Sequence, residues 1–313
     1  MQMTNDKTRE TVVLFGFDRS TPIVPLREST DNSVFAVGDD KNKKILRVSK
    51  RLPIEDVSFE CRAVNHLAEN GAVVPRFLPT LSGELYVAVD GDVAVMFDFI
   101  AGYHIQVDKD HLPDSSQAFE AGKGLAQIHN AGDGFQPLSP RHRTVFSELE
   151  RVSPLSDLFE GQFEGGSDFV RQTKSMLEFG ETYQGARGLI QNDFRPSNVF
   201  FNDSGRLAGI IDFDWSCIGP IIKDIALGAL EWSFSDGAIA PDFTIFDSFL
   251  TGYNSVAFRK QEKDQQLYDW IAFAALSDAA TYFCDRVNDP TARRRISASY
   301  MYKKFQFFTE IKI

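Results

Sequence analysis

The chain has 313 residues, 43% of them hydrophobic and 25% charged, a composition that suits a globular protein of one large domain or two lobes and not a disordered one. A formal net charge of −11 argues against general nucleic-acid binding, which needs basic surface, and no apolar run is long enough to cross a bilayer. Cys61, Cys217 and Cys284 are far apart with no C-x-x-C spacing, so neither a disulfide framework nor a zinc site is indicated, and a reducing, cytoplasmic setting is expected.

Met1 to Glu10 is polar and charged, unlike a signal peptide, and Thr11 to Phe17 is compatible with either a strand or a helical turn. From Pro25 onward, Leu26 to Glu28, Ser33 to Val37 and Lys44 to Val48 read as three strands separated by polar turns. Pro53 opens a helix with Val57, Cys61, Val64 and Ala68 on one stripe and Glu60 beside it. Two more strands, Leu85 to Val89 and Val93 to Phe97, are joined by Asp90-Gly91-Asp92, a hairpin-turn signal.

Beyond residue 102 the pattern turns helical. Phe119 to His129 has apolar residues at helical spacing, and a lone His at its end is more often structural than catalytic. Prolines 137, 140 and 154 and the glycines of 161 to 166 interrupt the next stretch, where helices are expected over 146–159 and 169–183. Further helices are expected over 224–234, 241–253 and 267–287. The last carries Asp278, Tyr282 and Asp285 at i, i+4 and i+7, hence on one face. Such a face can hold hydroxyls or an ammonium of a small molecule, or it can be a partly solvated surface.

The stretch from Leu189 to Asp224 concentrates the chemistry. Val199 to Phe201 and Leu207 to Ile211 flank Asn202-Asp203-Ser204-Gly205, the composition of a hairpin turn. Asn198 and Asp212 lie at equal sequence distances from Gly205 and should face each other across the ladder. Asp193, upstream of Pro196, belongs to the loop that enters this hairpin. Asp212 follows an apolar run, where an unpaired charge is costly and a cation would satisfy it; oxygen-only donors suit Mg2+. If 212–214 stays extended, Asp214 points to the same side.

D-F-R-P-S-N followed by I-D-F-D and then G-P-I-I-K-D resembles the catalytic loop and metal-binding segment of the protein-kinase-like superfamily, and within it the aminoglycoside phosphotransferase and choline/homoserine kinase group. The resemblance implies an α+β, two-lobed fold: a small antiparallel N-terminal lobe, 1–98, and a larger helical lobe, 99–313, joined by a hinge at about 98–102. It implies Asp193 as catalytic base, Arg195 as a phosphate contact, Asn198 and Asp212 at magnesium, to which the extended reading adds Asp214 as a second carboxylate for the same or a neighbouring ion, and Asp224 as a brace for the loop. It likewise places Arg47 on the nucleotide phosphates with Glu60 as its ion-pair partner. A Ser/Asn-containing turn with Ser29 and Asn32 would cover the phosphates, and the backbone of Asp98 and Ile100 would meet the base. The implied cofactors are Mg2+ and ATP or GTP, and the implied partner is a small-molecule hydroxyl acceptor such as an aminoglycoside, homoserine, choline or a sugar. Gln191-Asn192 departs from the group's usual His and Gly or Arg, and no G-x-G-x-x-G is present, so a nucleotide-binding protein with little catalysis is the alternative. No A-P-E-type activation segment fits between Asp214 and Asp224, which argues against a protein substrate.

Overall fold

The computed structural model describes residues 5–28, 32–50, 52–108, 111–139, 141–238, 240–289, 291 and 294–311. The first element is a helix, α1 (Asn5–Leu14), which decides between the two readings of Thr11 to Phe17; Val12 and Phe15 tuck under the sheet that follows.

That sheet has five strands: β1 (Ile23–Glu28), β2 (Asn32–Val37), β3 (Lys44–Ser49), β4 (Val87–Val89) and β5 (Asp92–Asp98), in the antiparallel order β1-β2-β3-β5-β4. Asp90 and Gly91 both have positive φ, 52° and 89°, as a two-residue hairpin turn between β4 and β5 requires. The alternation of β3 sends Leu46 and Val48 to α1 and turns Arg47 to the other side, towards α2 (Ile54–Glu69).

After β5 the chain makes β6 (Tyr103–His104), which pairs with β8 (Val199–Phe201) and so ties the first region to the second. The second region comprises α3 (Ser115–Ala131), α4 (Ser147–Glu150), α5 (Ser156–Gln162), α6 (Gly166–Glu181), β7 (Arg187–Ile190), β8, β9 (Leu207–Ile210), β10 (Cys217–Pro220), α7 (Ile221–Ser233), α8 (Phe243–Val256), α9 (Gln265–Asp285) and α10 (Tyr300–Glu310). The single helix expected over 146–159 is instead two, because Pro154 sits in a 3-10 turn that separates α4 from α5. Helices α3 and α8 cross at backbone contact: a Cβ on Gly122 would lie 2.0 Å from the Phe249 carbonyl oxygen, and one on Gly252 2.0 Å from that of Phe119. The core of this region is aromatic, with Trp232, Trp270, Phe169, Phe249 and Phe283 almost fully buried. Among the described residues no helix is long and apolar enough to cross a membrane.

The hairpin β8–β9 forms as expected, but its register is not symmetric about Gly205. Val199 pairs with Ile210, a bulge follows Phe200, and Phe201 pairs with Leu207. Asn198 therefore lies opposite Ile211, whose N–H donates to the Asn198 carbonyl at 2.9 Å, and not opposite Asp212. Nor is 212–214 extended: Asp212 has φ +62°, in the left-handed region, which turns the chain out of the strand.

Candidate active site

β7 delivers Gln191, Asn192 and Asp193 into a tight loop. Asp224, in the first turn of α7, holds that loop from below: its Oδ1 accepts the Asn192 N–H and its Oδ2 the Gln191 N–H, both at 2.8 Å. The His129 ring lies 3.1 Å from the same Oδ2 and 2.9 Å from the Tyr253 hydroxyl. His129 thus joins α3 and α8 to the brace, the structural position expected for it.

Gln191 and Asn192 occupy a fully tied position. The Gln191 amide accepts the Asp193 N–H at 2.8 Å and donates to the Ile211 and Asp212 carbonyls at 3.2 and 2.7 Å. One buried side chain so links the loop that carries Asp193 to the segment that carries Asp212. Asn192 has φ +66°, tolerated by Asn better than by most residues; it donates to the Trp215 carbonyl at 3.1 Å and accepts from the Lys223 ammonium.

The Asp193 carboxylate takes the Arg195 Nε–H at 2.6 Å and the Asn198 amide at 3.0 Å; the same Asn198 nitrogen reaches the Asp193 carbonyl at 3.0 Å. With its nitrogen so used, Asn198 has its oxygen left to offer a cation. Desolvation in the cleft raises the Asp193 pKa to about 6; Arg195 opposes the rise, while Asp278, Asp214 and Glu231 add to it. Desolvation, and then Asp212, likewise raises Asp214 to about 6, and burial raises Asp212. The two carboxyls lie within hydrogen-bonding reach of one another, with Arg47 as a nearby cation. Crowded, desolvated carboxylates beside a free amide oxygen are a hard-donor set that a divalent cation fits.

Arg47 grips Glu60 in two-point fashion, at 2.8 and 2.5 Å, with both side chains buried. Burial alone would lower the arginine's pKa, but Glu60, Asp214 and Asp212 hold it above its ordinary value. Its Nε is buried without a partner among the described residues, a donor left for a ligand oxygen. Asp98 uses its carboxylate on Lys44 and its N–H on the Arg76 carbonyl, whereas the Ile100 N–H has no acceptor among the described residues. Asn32 accepts from the Ser49 hydroxyl at 2.9 Å, at the sheet's end; Ser29 lies outside the described residues.

Two residues escaped the motif reading. Arg141 donates to the Ser216 carbonyl at 2.5 Å and to the Asp214 carbonyl, and Arg143 stacks 4.1 Å over the Trp215 ring while pairing with Asp214 at 3.7 Å. They clamp the segment that follows Asp212, and their one trace in the sequence is the basic run at 141–143 within an acidic chain.

On the far side of Arg195 two cavities meet, of about 470 and 250 Å3, with Arg195, Asp278 and Thr281 in the walls of both. The face of α9 reaches them: Asp278 lines both, while Tyr282 and Asp285 line the larger, where Asp285 also pairs with Arg151 at its rim. Burial raises the Asp278 pKa, Glu231 adds to the rise, and Arg195 and Lys304 oppose it. Glu231 is 3.9 Å from Arg195 and 3.8 Å from Lys304, and those cations keep it below its ordinary value despite burial. A larger cavity of about 940 Å3 lies behind the brace and contains neither Asp193 nor Asp212, so size does not mark the site.

The model of the phosphotransferase enzyme family matches residues 22–258, most of the chain and the whole stretch from Asp193 to Asp224, though not the face of α9. The chain belongs to that family. Among its relatives is a homoserine kinase of Rhizobium meliloti strain 1021, 28% identical over 293 residues, covering 92% of this chain and 85% of the relative. A homoserine kinase of Caulobacter vibrioides strain NA1000 / CB15N is 27% identical over 257 residues, covering 77% and 75%. Solved structures share the fold: an amicoumacin kinase in complex with AMP-PNP and Ca2+ at TM-score 0.69, 18% identity and 93% and 89% coverage, and a choline/ethanolamine kinase family protein from Mesorhizobium loti at TM-score 0.65, 18% identity and 98% and 94% coverage. The phosphotransferase is accordingly a kinase-like α+β protein that acts on a hydroxyl of a small molecule, with ATP as phosphoryl donor.

Proposed function

We propose that this phosphotransferase moves the γ-phosphoryl group of ATP to the hydroxyl of a hydroxy amino acid, homoserine being the first candidate from its relatives. The observation that carries the reading is the convergence on Asp193, whose carboxylate is held by Arg195 and Asn198 beside the Asp212–Asp214 pair. Asp193 orients the acceptor hydroxyl and takes its proton, worth about 10² to 10⁴ in rate. Arg195 and Arg47 neutralise charge on the transferring phosphate oxygens. Asn198, Asp212 and Asp214 hold Mg2+, which, when bound, supplies charge neutralisation across the phosphates.

The rest of the assignment follows the family resemblance. Residues 1–98 form the nucleotide lobe and 99–313 the catalytic and acceptor lobe. The backbone of Asp98 and Ile100 meets the base, Asn32 at the end of the sheet lies towards the phosphates, and Asp224 braces the loop. Asp278, Tyr282 and Asp285 face the acceptor. An ATP donor and three free, buried cysteines fit a cytoplasmic setting.

Gln191 weighs against a non-catalytic nucleotide binder, since its amide ties the Asp193 loop to the metal segment. The test is ADP release from Mg-ATP with a panel of hydroxyl acceptors that includes homoserine, choline and aminoglycosides. Release with homoserine that Asp193→Ala abolishes, with Mg-ATP binding kept, supports the reading. Turnover retained by Asp193→Ala removes that residue from the base role, and release with another acceptor alone replaces the substrate.

A further inference from the structure

Lys223 immediately precedes the brace residue Asp224, and its side chain is 5% exposed. An ammonium carries three donors. Among the described residues one of them is used, on the Asn192 amide oxygen, and no carboxylate lies within ion-pairing distance. A buried cation with two unfilled donors and no counter-ion is costly in a fold that gains nothing from it. Burial lowers the Lys223 pKa, with Asp224 and Asp278 acting the other way from a distance.

The ammonium is not walled in. Lys223 lines the cavity of about 250 Å3 together with Asp193, Asn192, Arg195, Asp278 and Ser277. None of Arg47, Asn198, Asp212 and Asp214 is in its walls; of the groups assigned to the nucleotide it meets Arg195 alone, which places the space on the acceptor side of Asp193. Asp278 lines the same cavity and has no hydrogen bond or ion pair of its own among the described residues, with Lys223 acting on it only from beyond ion-pairing distance, while its neighbour Glu231 is engaged by Arg195 and Lys304. The cavity so offers one unpaired cation and one unpaired carboxyl next to the residue that handles the hydroxyl.

We propose that Lys223 is a specificity-determining residue, whose ammonium receives the carboxylate of the acceptor while Asp278 receives its ammonium. This rests on the acceptor reading above. A bound carboxylate supplies the missing counter-ion and accepts from the unfilled donors; the Asn192 contact keeps the lysine aimed at the cavity. An acceptor lacking the carboxylate leaves the ammonium buried and unpaired, so discrimination comes as much from the penalty against the wrong molecule as from attraction to the right one.

The experiment compares homoserine with 3-aminopropan-1-ol, the same chain without the carboxylate, in wild type, Lys223→Met and Lys223→Arg. Lys223→Met is expected to raise KM for homoserine by roughly 10- to 100-fold, the worth of a charge-assisted bond, and to bring the kcat/KM ratio of the two acceptors towards one. KM for ATP should stay within about twofold, and Lys223→Arg should restore part of the preference. An equal loss on both acceptors with the ratio preserved, or a rise in KM for ATP instead, would show a structural or nucleotide-side role and overturn the proposal. If wild type phosphorylates a cationic acceptor without a carboxylate and ignores homoserine, the proposal and the homoserine reading fall together. If it phosphorylates neither of these and another hydroxyl acceptor gives the ADP release, the homoserine reading is replaced and the proposal is overturned with it.

Discussion

Asp224 accepts the Asn192 backbone N–H at 2.8 Å across 32 residues of chain, and takes the Gln191 N–H with its other oxygen. Both donors, the carboxylate and the His129 ring beside it are buried, so removing the acid leaves two amide donors and one of the two imidazole nitrogens without partners, the other nitrogen keeping the Tyr253 hydroxyl. Asp224→Ala is expected to cost about 3–5 kcal/mol, as for breaking a buried charged network, and Asp224→Asn less. Urea denaturation at pH 7.5 measures it. A loss under about 1 kcal/mol would mean that the loop does not depend on this brace.

Arg47 and Glu60 give a prediction with opposite signs in stability and binding. Either residue alone would be a buried, uncompensated charge, so Arg47→Met should destabilise by about 3–5 kcal/mol. The double variant Arg47→Met/Glu60→Met replaces the pair by apolar groups and should recover most of that stability, while KM for ATP stays elevated because the unpartnered Arg47 Nε is gone. Recovery of ATP affinity along with stability would assign the pair a purely structural role.

If Asp212 and Asp214 hold the cation as proposed, they should set the response to metal. Titration with Mg-ATP to about a hundredfold excess over Kd should stabilise the protein by about 2.7 kcal/mol, read as a rise in Tm, and the rise should vanish with EDTA. Asp212→Ala should lose the metal-dependent part. An undiminished Mg-ATP shift in Asp212→Ala would place the cation elsewhere.

The parts of the site legible in the sequence are those set by local rules. The D-G turn at 90–91, the α2 stripe and the β8–β9 hairpin follow from periodicity and turn chemistry, and the spacing from Asp193 to Asp224 carried the chemistry with them. What could not be read depended on non-local contact. The turn centres on Ser204 and not on Gly205, and the bulge after Phe200 makes up only part of that offset, so Asn198 ends opposite Ile211; turn composition gives the position of a hairpin but not its register. Positive φ at Asp212 is imposed by the surrounding structure and has no sequence signal at an Asp. The substitution of Gln191 for the usual His looked like a weakness, yet its amide finds partners in 211 and 212 that only the folded chain supplies. Lys223 likewise reads as an ordinary helix lysine until α9 closes over it.

Asp193 should govern the pH profile. Its folded-state pKa is raised from 3.8 to about 6, chiefly by desolvation. A general base works ionised, so kcat/KM should fall about tenfold per pH unit below pH 6. Stability runs the other way. A carboxyl with a raised folded-state pKa binds its proton more tightly in the fold, so its cost to stability grows as pH rises from about 4 to 6 and is then constant. Asp193→Asn removes that cost: it should stabilise the metal-free protein at pH 8 by about 1–3 kcal/mol, with the gain shrinking towards zero as pH falls through 6 to 4. Asp214 is also raised to about 6, so the acid limb of wild type in the absence of metal contains both groups, and the difference between wild type and Asp193→Asn isolates one. A gain independent of pH between 4 and 8 would show that Asp193 is not held above its ordinary range, and the acid limb of the activity would then have to come from Asp214.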